Sequence, residues 1–193
     1  MTAQIDTRTR IIHAASILFV ENGLQSSMAA IAEAAHVAMG SLYHFFPSKD
    51  RLILEVCRQI ATTMDYLVVD RVDPTLPYEE RVTAYVRAYI DMIWADPMLA
   101  ALYDYLTNTP AIPSTDIQTI FQKVTAHSIL VFGNSAADHS QGLSDQLVGS
   151  FIRGAIRNTL KRHRSSGEPL TEAQKNSIVA MCWHALKFDA APG

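Results

Sequence analysis

The chain has 193 residues, 49% of them hydrophobic and 18% charged, with Gly and Pro at only 8 each. That composition buries a core and excludes a disordered or fibrous chain. Its formal charge of −3, from 16 Lys+Arg against 19 Asp+Glu, speaks by itself against a nucleic-acid binder, whose domains commonly carry a basic excess.

Helical periodicity runs along the chain. Ile11, Ile12, Ala15, Leu18 and Phe19 predict an amphipathic helix that Gly23 closes as a C-cap, with Arg8 and Arg10 on a flexible arm before it. Ser26-Ser27 offers an N-cap for a short helix over 28–35. A further short helix is expected over 39–45, stopped by Pro47, since the residue before proline is pushed out of helical geometry. Ser48 then caps a long helix from Lys49 to about Val69, carried by Leu52, Val56, Ile60, Met64 and Leu67.

Asp73-Pro74 and Leu76-Pro77 mark a break before a helix over 78–95. Asp96-Pro97 opens another, to about Leu106, and Pro110 and Pro113 bound a loop before one helix over 114–132. Gly133 to Gly142 reads as a loop. Leu143, Leu147, Phe151, Ala155, Ile156 and Leu160 define a helix that ends in Lys161-Arg162-His163-Arg164, where positive charge complements the helix dipole. Thr171 with Gln174 fits a capping box for a last helix to about Phe188. No strand-like alternation and no internal repeat occur, so the fold class is all-α with about nine helices.

Several functions find no residues to carry them. There is no HExxH, no GxSxG and no Gly-rich phosphate loop, so neither a catalytic group nor a cofactor or metal site is expected. Cys57 and Cys182 lack CxxC spacing and read as buried reduced thiols of a cytoplasmic protein. No apolar run approaches the ~20 residues of a membrane span, so no membrane partner is expected. His127 and His184 read as packed or surface residues.

The first 52 residues differ from the rest. They hold three short helices, the second and third joined by Ala35-His36-Val37-Ala38, which is helix-turn-helix spacing. The continuous stretch from Ile31 through Met39-Gly40-Ser41-Leu42-Tyr43-His44-Phe45-Phe46-Pro47 to Leu52 closely resembles the DNA-binding signature of the TetR family of bacterial transcriptional regulators. Ile11 to Gly23 with Ser26-Ser27-Met28 resembles the start of that signature. The likeness covers about a quarter of the chain.

The resemblance implies a helix-turn-helix DNA-binding domain over 1–50 and a helical ligand-binding and dimerisation domain over 51–193. It implies a cytoplasmic homodimer that represses transcription from a near-palindromic DNA operator and is released by a small-molecule effector. Activation, or regulation without an effector, is the alternative within the family. Outside it stand a helical enzyme and an adaptor whose basic helix, Arg153 to Arg164, binds an acidic partner.

The resemblance assigns DNA contacts to Ser27, Ala38, Met39, Gly40, Ser41, Tyr43, His44 and Lys49. Gly40 lets the recognition helix approach DNA closely; its other reading is a tight helix–helix contact. Tyr43, His44, Ser27 and Lys49 suit phosphates, whereas Ser41 and Met39 suit base edges. Leu42 and Phe46 read as core. The family commonly has Gly at His36, where a left-handed turn is expected, and Ser or Thr at Ala38, where a side-chain cap is lost.

In the second region, Met64, Tyr85, Tyr89, Met92, Tyr103 and Phe121 are the candidate effector contacts. Eight acidic residues against three arginines between Asp65 and Asp104 hint at a cationic effector. Leu147, Phe151, Ile156 and Leu160, with Ile178, Met181, Cys182 and Ala185, are the candidate dimer interface, as a four-helix packing between two subunits.

Overall fold

The fold is known from a computed structural model that describes residues 6–133 and 143–186. Most of the loop expected up to Gly142, and the stretch of the last helix to Phe188, lie outside the described residues. Among those described there are ten α-helices and two short 3-10 turns, with no strand. By its contacts the chain forms two compact units. One takes the residues up to Thr62 together with Met98–Ile120, and the other takes Thr63–Pro97 and the residues from Phe121 onward.

In the first unit, helix α1 spans Thr7–Asn22. It begins a turn earlier than its apolar pattern because Asp6 caps it: one carboxylate oxygen accepts from the Thr9 amide at 2.9 Å and the other from the Thr9 hydroxyl at 2.8 Å. Arg8 and Arg10 therefore stand on the first turn of a helix, not on a flexible arm. Arg8 pairs with Glu55 at 2.6 Å and lies over the Phe46 ring. Gly23 closes α1 at φ 68, its amide donating to the Phe19 carbonyl. A second constraint acts there. The Leu24 amide donates to the Tyr105 hydroxyl at 3.0 Å, and a Cβ on Gly23 would stand 3.0 Å from that oxygen.

Helix α2 spans Met28–Ala34, α3 Met39–Phe45 and α4 Lys49–Leu67. Ile11, Ala15, Phe19, Ile31, Leu42, Leu52 and Val56 are buried, and so is Phe46, as the spacing predicted. His36 turns the chain at φ 52 and is the one non-glycine residue at positive φ among those described. The position that the family fills with Gly is left-handed here too. Helices α6 (Pro97–Asn108) and α7 (Ser114–Ile120) complete this unit from Met98 onward.

The second unit is arranged around α5 (Tyr78–Ala95), which packs on α8 (Gln122–Phe132), α9 (Asp145–Arg164) and α10 (Glu172–Leu186). Val82, Tyr85, Val86, Tyr89 and Ile90 bury its inner face. Arg87 bonds Asn176 and Glu172, and Lys175 pairs with Asp91 at 2.6 Å, along the α5–α10 seam. The capping box of α10 forms on both sides: the Thr171 amide donates to the Gln174 side chain at 2.8 Å, and the Gln174 amide to the Thr171 hydroxyl at 3.2 Å.

One helix was expected over 114–132, and two are found. Phe121 leaves helical geometry at φ −95 and ψ 14. Helix α7 has no buried residue, whereas α8 buries Val124, His127, Ser128, Val131 and Phe132. The chain also passes from the first unit to the second at that residue.

The basic run behaves differently from a solvated cap. Arg164 donates to the Ile93 and Trp94 carbonyls at 2.9 and 3.1 Å and lies over the Trp94 ring, so it caps the end of α5. Arg153 is buried and Arg157 is turned onto the Tyr89 hydroxyl at 3.0 Å. Three of the arginines that an acidic partner would need are thus engaged within the chain, whereas Lys161 and Arg162 are exposed.

Candidate DNA-binding interface

Ser27 caps α2: its hydroxyl accepts from the Ala30 amide at 3.1 Å, and the first amides of the helix have no intrahelical partner. Val37 and Ala38 then carry the chain into α3. Ala38 has extended geometry and no side-chain cap, as its methyl group dictates. The first amides of α3 likewise have no intrahelical partner.

Helix α3 buries one face and clears the other. Leu42 points into the core. Met39, Gly40, Ser41, Tyr43 and His44 are exposed, as are Ser27 and Ala38. Tyr43 is 47% exposed, and its hydroxyl has no partner among the described residues. Nothing lies within 4 Å of a Cβ built on Gly40, and its φ is not positive. Neither internal packing nor backbone geometry calls for glycine there, so the helix–helix contact is excluded as its reason. Glycine nevertheless costs helix stability by roughly 0.5–1 kcal/mol against alanine.

Lys49 is the first residue of α4 and is half-buried. Ser48 caps that helix, its hydroxyl accepting from the Arg51 amide at 3.3 Å. Arg51 and Arg58, which the sequence reading passed over, line one surface groove with Arg8, Phe46, Ser48 and Glu55. Their spacing of seven on one helix, next to Lys49, is the signal that marks them. Glu55 answers two of the guanidiniums, bonding Arg8 and also Arg58 at 3.1 Å.

The other candidates are dispersed by the fold. Met64, Tyr85, Tyr89, Met92 and Phe121 are buried in the second unit. Tyr103, on α6, belongs to the first unit. Three of the eight middle carboxylates pair with lysines: Lys123 stands 3.1 Å from Asp70 and 3.6 Å from Asp65, and Asp91 pairs with Lys175. No group of three or more metal-ligating side chains occurs among the described residues.

The interface candidates divide by burial. Ile156, Leu160 and Cys182 sit in the chain's own core and are not available to a second subunit. Leu147, Phe151 and Met181 are 56%, 64% and 68% exposed; Ala185 is exposed and Ile178 half-buried. The cause is geometric: each amphipathic helix has two apolar sides, and the period alone does not say which one faces inward. Burial pushes the Cys57 and Cys182 thiols up to about 11, as expected of inert free cysteines. No helix among the described residues is long and apolar enough to cross a membrane.

Residues 11–56 match the family model for bacterial regulatory proteins of the tetR family. Over 90% of both chains, the sequence is 26% identical to the HTH-type transcriptional repressor KstR2 of Mycobacterium tuberculosis. Among solved structures, the regulator FadR of Bacillus subtilis in complex with stearoyl-CoA superposes with a TM-score of 0.69 at 20% identity, covering 90% of this chain and 96% of that one. AibR in complex with isovaleryl coenzyme A and operator DNA gives 0.73 at 18% identity, covering 91% and 97%.

Proposed function

The chain belongs to the TetR family of bacterial regulatory proteins, and from that premise we propose that it is a homodimeric repressor which a small molecule releases from its operator. The observation that carries the DNA-binding half is the outer face of α3. Its glycine has no packing or backbone reason, its tyrosine hydroxyl has no partner among the described residues, and helices begin at Ser27, Ala38 and Ser48. Open amides, a phenol and Lys49 hold phosphates; Ser41 and Met39 reach base edges. Arg51 joins Lys49 as a phosphate contact.

The working division is a DNA-binding domain over 1–50 and an effector and dimer domain over 51–193. Leu147, Phe151, Met181 and Ala185 form the two-fold interface, and two α3 helices then enter successive major grooves about 34–36 Å apart. An effector acts by favouring an arrangement in which that spacing no longer fits, with a coupling of about 1–3 kcal/mol as the usual scale. The acyl-CoA complexes of FadR and AibR support acyl thioesters of coenzyme A as the first effectors to try. A cytoplasmic location and the lack of enzymatic activity belong to the same reading.

Selection of bound sequences from a randomised DNA library tests the assignments. Tyr43→Phe should lower affinity about equally for all sequences, because a phosphate contact carries no base information. Ser41→Ala and Met39→Lys should change which sequences are enriched. Unaltered enrichment with both of these, or an altered one with Tyr43→Phe, overturns the division of roles.

A further inference from the structure

An open groove of about 560 Å³ lies beside the end of α3 and the start of α4, where Arg8, Arg51 and Arg58 line it with a single carboxylate, Glu55. That carboxylate is committed on both oxygens. Oε1 stands 2.6 Å from the Arg8 guanidinium, and Oε2 accepts from Arg58 at 3.1 Å. The Glu55 side chain is only 18% exposed, whereas those of Arg8 and Arg58 are 44% and 47% exposed. Arg8 is held from a second side by the Phe46 ring, whose centroid is 5.6 Å away. Arg51 differs: it is exposed, and its side chain has no partner among the described residues.

Stability gives little reason for this arrangement. Ion pairs between half-exposed side chains contribute little to folding, because water and salt screen them. Arginine beside a DNA-binding face is otherwise the side chain best suited to a phosphate, since its planar fork gives two parallel hydrogen bonds. Here two of the three forks already face a carboxylate, an anionic oxygen acceptor of the same kind.

We propose that Glu55 limits how strongly this protein binds DNA irrespective of sequence. It holds Arg8 and Arg58 in ion pairs within the chain, so Arg51 is the guanidinium of the groove left to meet a phosphate. The groove is a site for a backbone phosphate of the DNA, and Glu55 competes with that phosphate for the other two forks. A phosphate carries no base information, so the competition acts on operator and random DNA alike. The inference rests on the reading that this unit binds DNA.

Glu55→Gln keeps the shape of the side chain and removes its charge. Anisotropy titrations of the full-length protein use two labelled duplexes: the sequence most enriched from the randomised library and its scrambled counterpart. At about 50 mM salt both affinities should rise at least about threefold. The slope of log affinity against log salt should steepen by about 0.9 for each guanidinium that reaches a phosphate, and by about 1.8 when both do. Glu21→Gln makes the same charge change at the exposed end of α1 and releases no arginine, so its slope should match the parent's. In the Glu55→Gln background, Arg8→Gln and Arg58→Gln should each take back part of the gain. In the parent chain each should leave the slope nearly unchanged, and this arm reads the proposal even if Glu55→Gln does not fold. An unchanged or weaker affinity with Glu55→Gln, an equal steepening with Glu21→Gln, or a slope lowered by either arginine variant in the parent overturns the inference and leaves the DNA-binding reading standing. If the parent chain binds neither duplex, both fail.

Discussion

Phe151→Arg is expected to leave a folded but monomeric protein that no longer holds its operator. Phe151 is 64% exposed in its own chain, and Leu147 stands one turn before it on the same exposed face of α9. Apolar side chains of that size, with Met181 exposed on α10, are the material of an isologous interface. In the proposed two-fold interface, one substitution places two guanidiniums. Sedimentation should show a monomer at concentrations where the parent chain is a dimer, with helical content retained. Operator affinity should fall by about 10²–10⁴-fold, the usual gain from linking two binding modules. Ile156→Ala provides the contrast. It empties core volume at a cost of about 2–5 kcal/mol in stability and leaves the interface face untouched. If Phe151→Arg remained a dimer, the α9 face would not be the interface.

Gly40→Ala should separate stability from function in one substitution. The Cβ it adds meets nothing within 4 Å, so the isolated protein should gain up to about 1 kcal/mol in denaturant unfolding from the helix propensity of alanine. Operator affinity should fall at the same time, because that open space is where the DNA comes in. Gly40→Leu should exclude DNA altogether while the fold persists. A parent-like affinity for Gly40→Leu would show that this face does not meet DNA.

What the sequence made legible is what short-range chemistry decides. Helix α3 occupies the predicted 39–45 because Pro47 bars its continuation, and α5 occupies 78–95 because Asp96, before Pro97, is driven to extended geometry. The left-handed His36 and the Thr171–Gln174 box follow from the same local rules. What stayed hidden depends on partners far away in the chain. Arg153 finds Tyr85 and Ser128 at separations of 68 and 25 residues, and a basic run gives no sign that one of its members turns inward. The break at Phe121 is equally silent, because Ile117, Ile120, Phe121 and Val124 keep helical spacing across it. The expected arm before α1 failed for a smaller reason: one capping aspartate at position 6 started the helix four residues before the first apolar one.

The charge of −3 is reconciled by where the charges lie. Over residues 1–52, Arg8, Arg10, Lys49 and Arg51 balance Asp6, Glu21, Glu33 and Asp50, so the DNA-binding segment is neutral, and the excess acid sits farther along the chain. On the proposed reading, few contacts per subunit, doubled by a dimer, carry operator binding. Non-specific DNA affinity should accordingly be weak and its salt dependence shallow.

The most direct measurement is a footprint of the purified dimer on the DNA upstream of its own gene. The account predicts two protected half-sites in near-palindromic order, centred one helical turn apart, with protection lost in Phe151→Arg and Gly40→Leu. No protection anywhere on that DNA even at low salt, or protection that both variants retain, would contradict it.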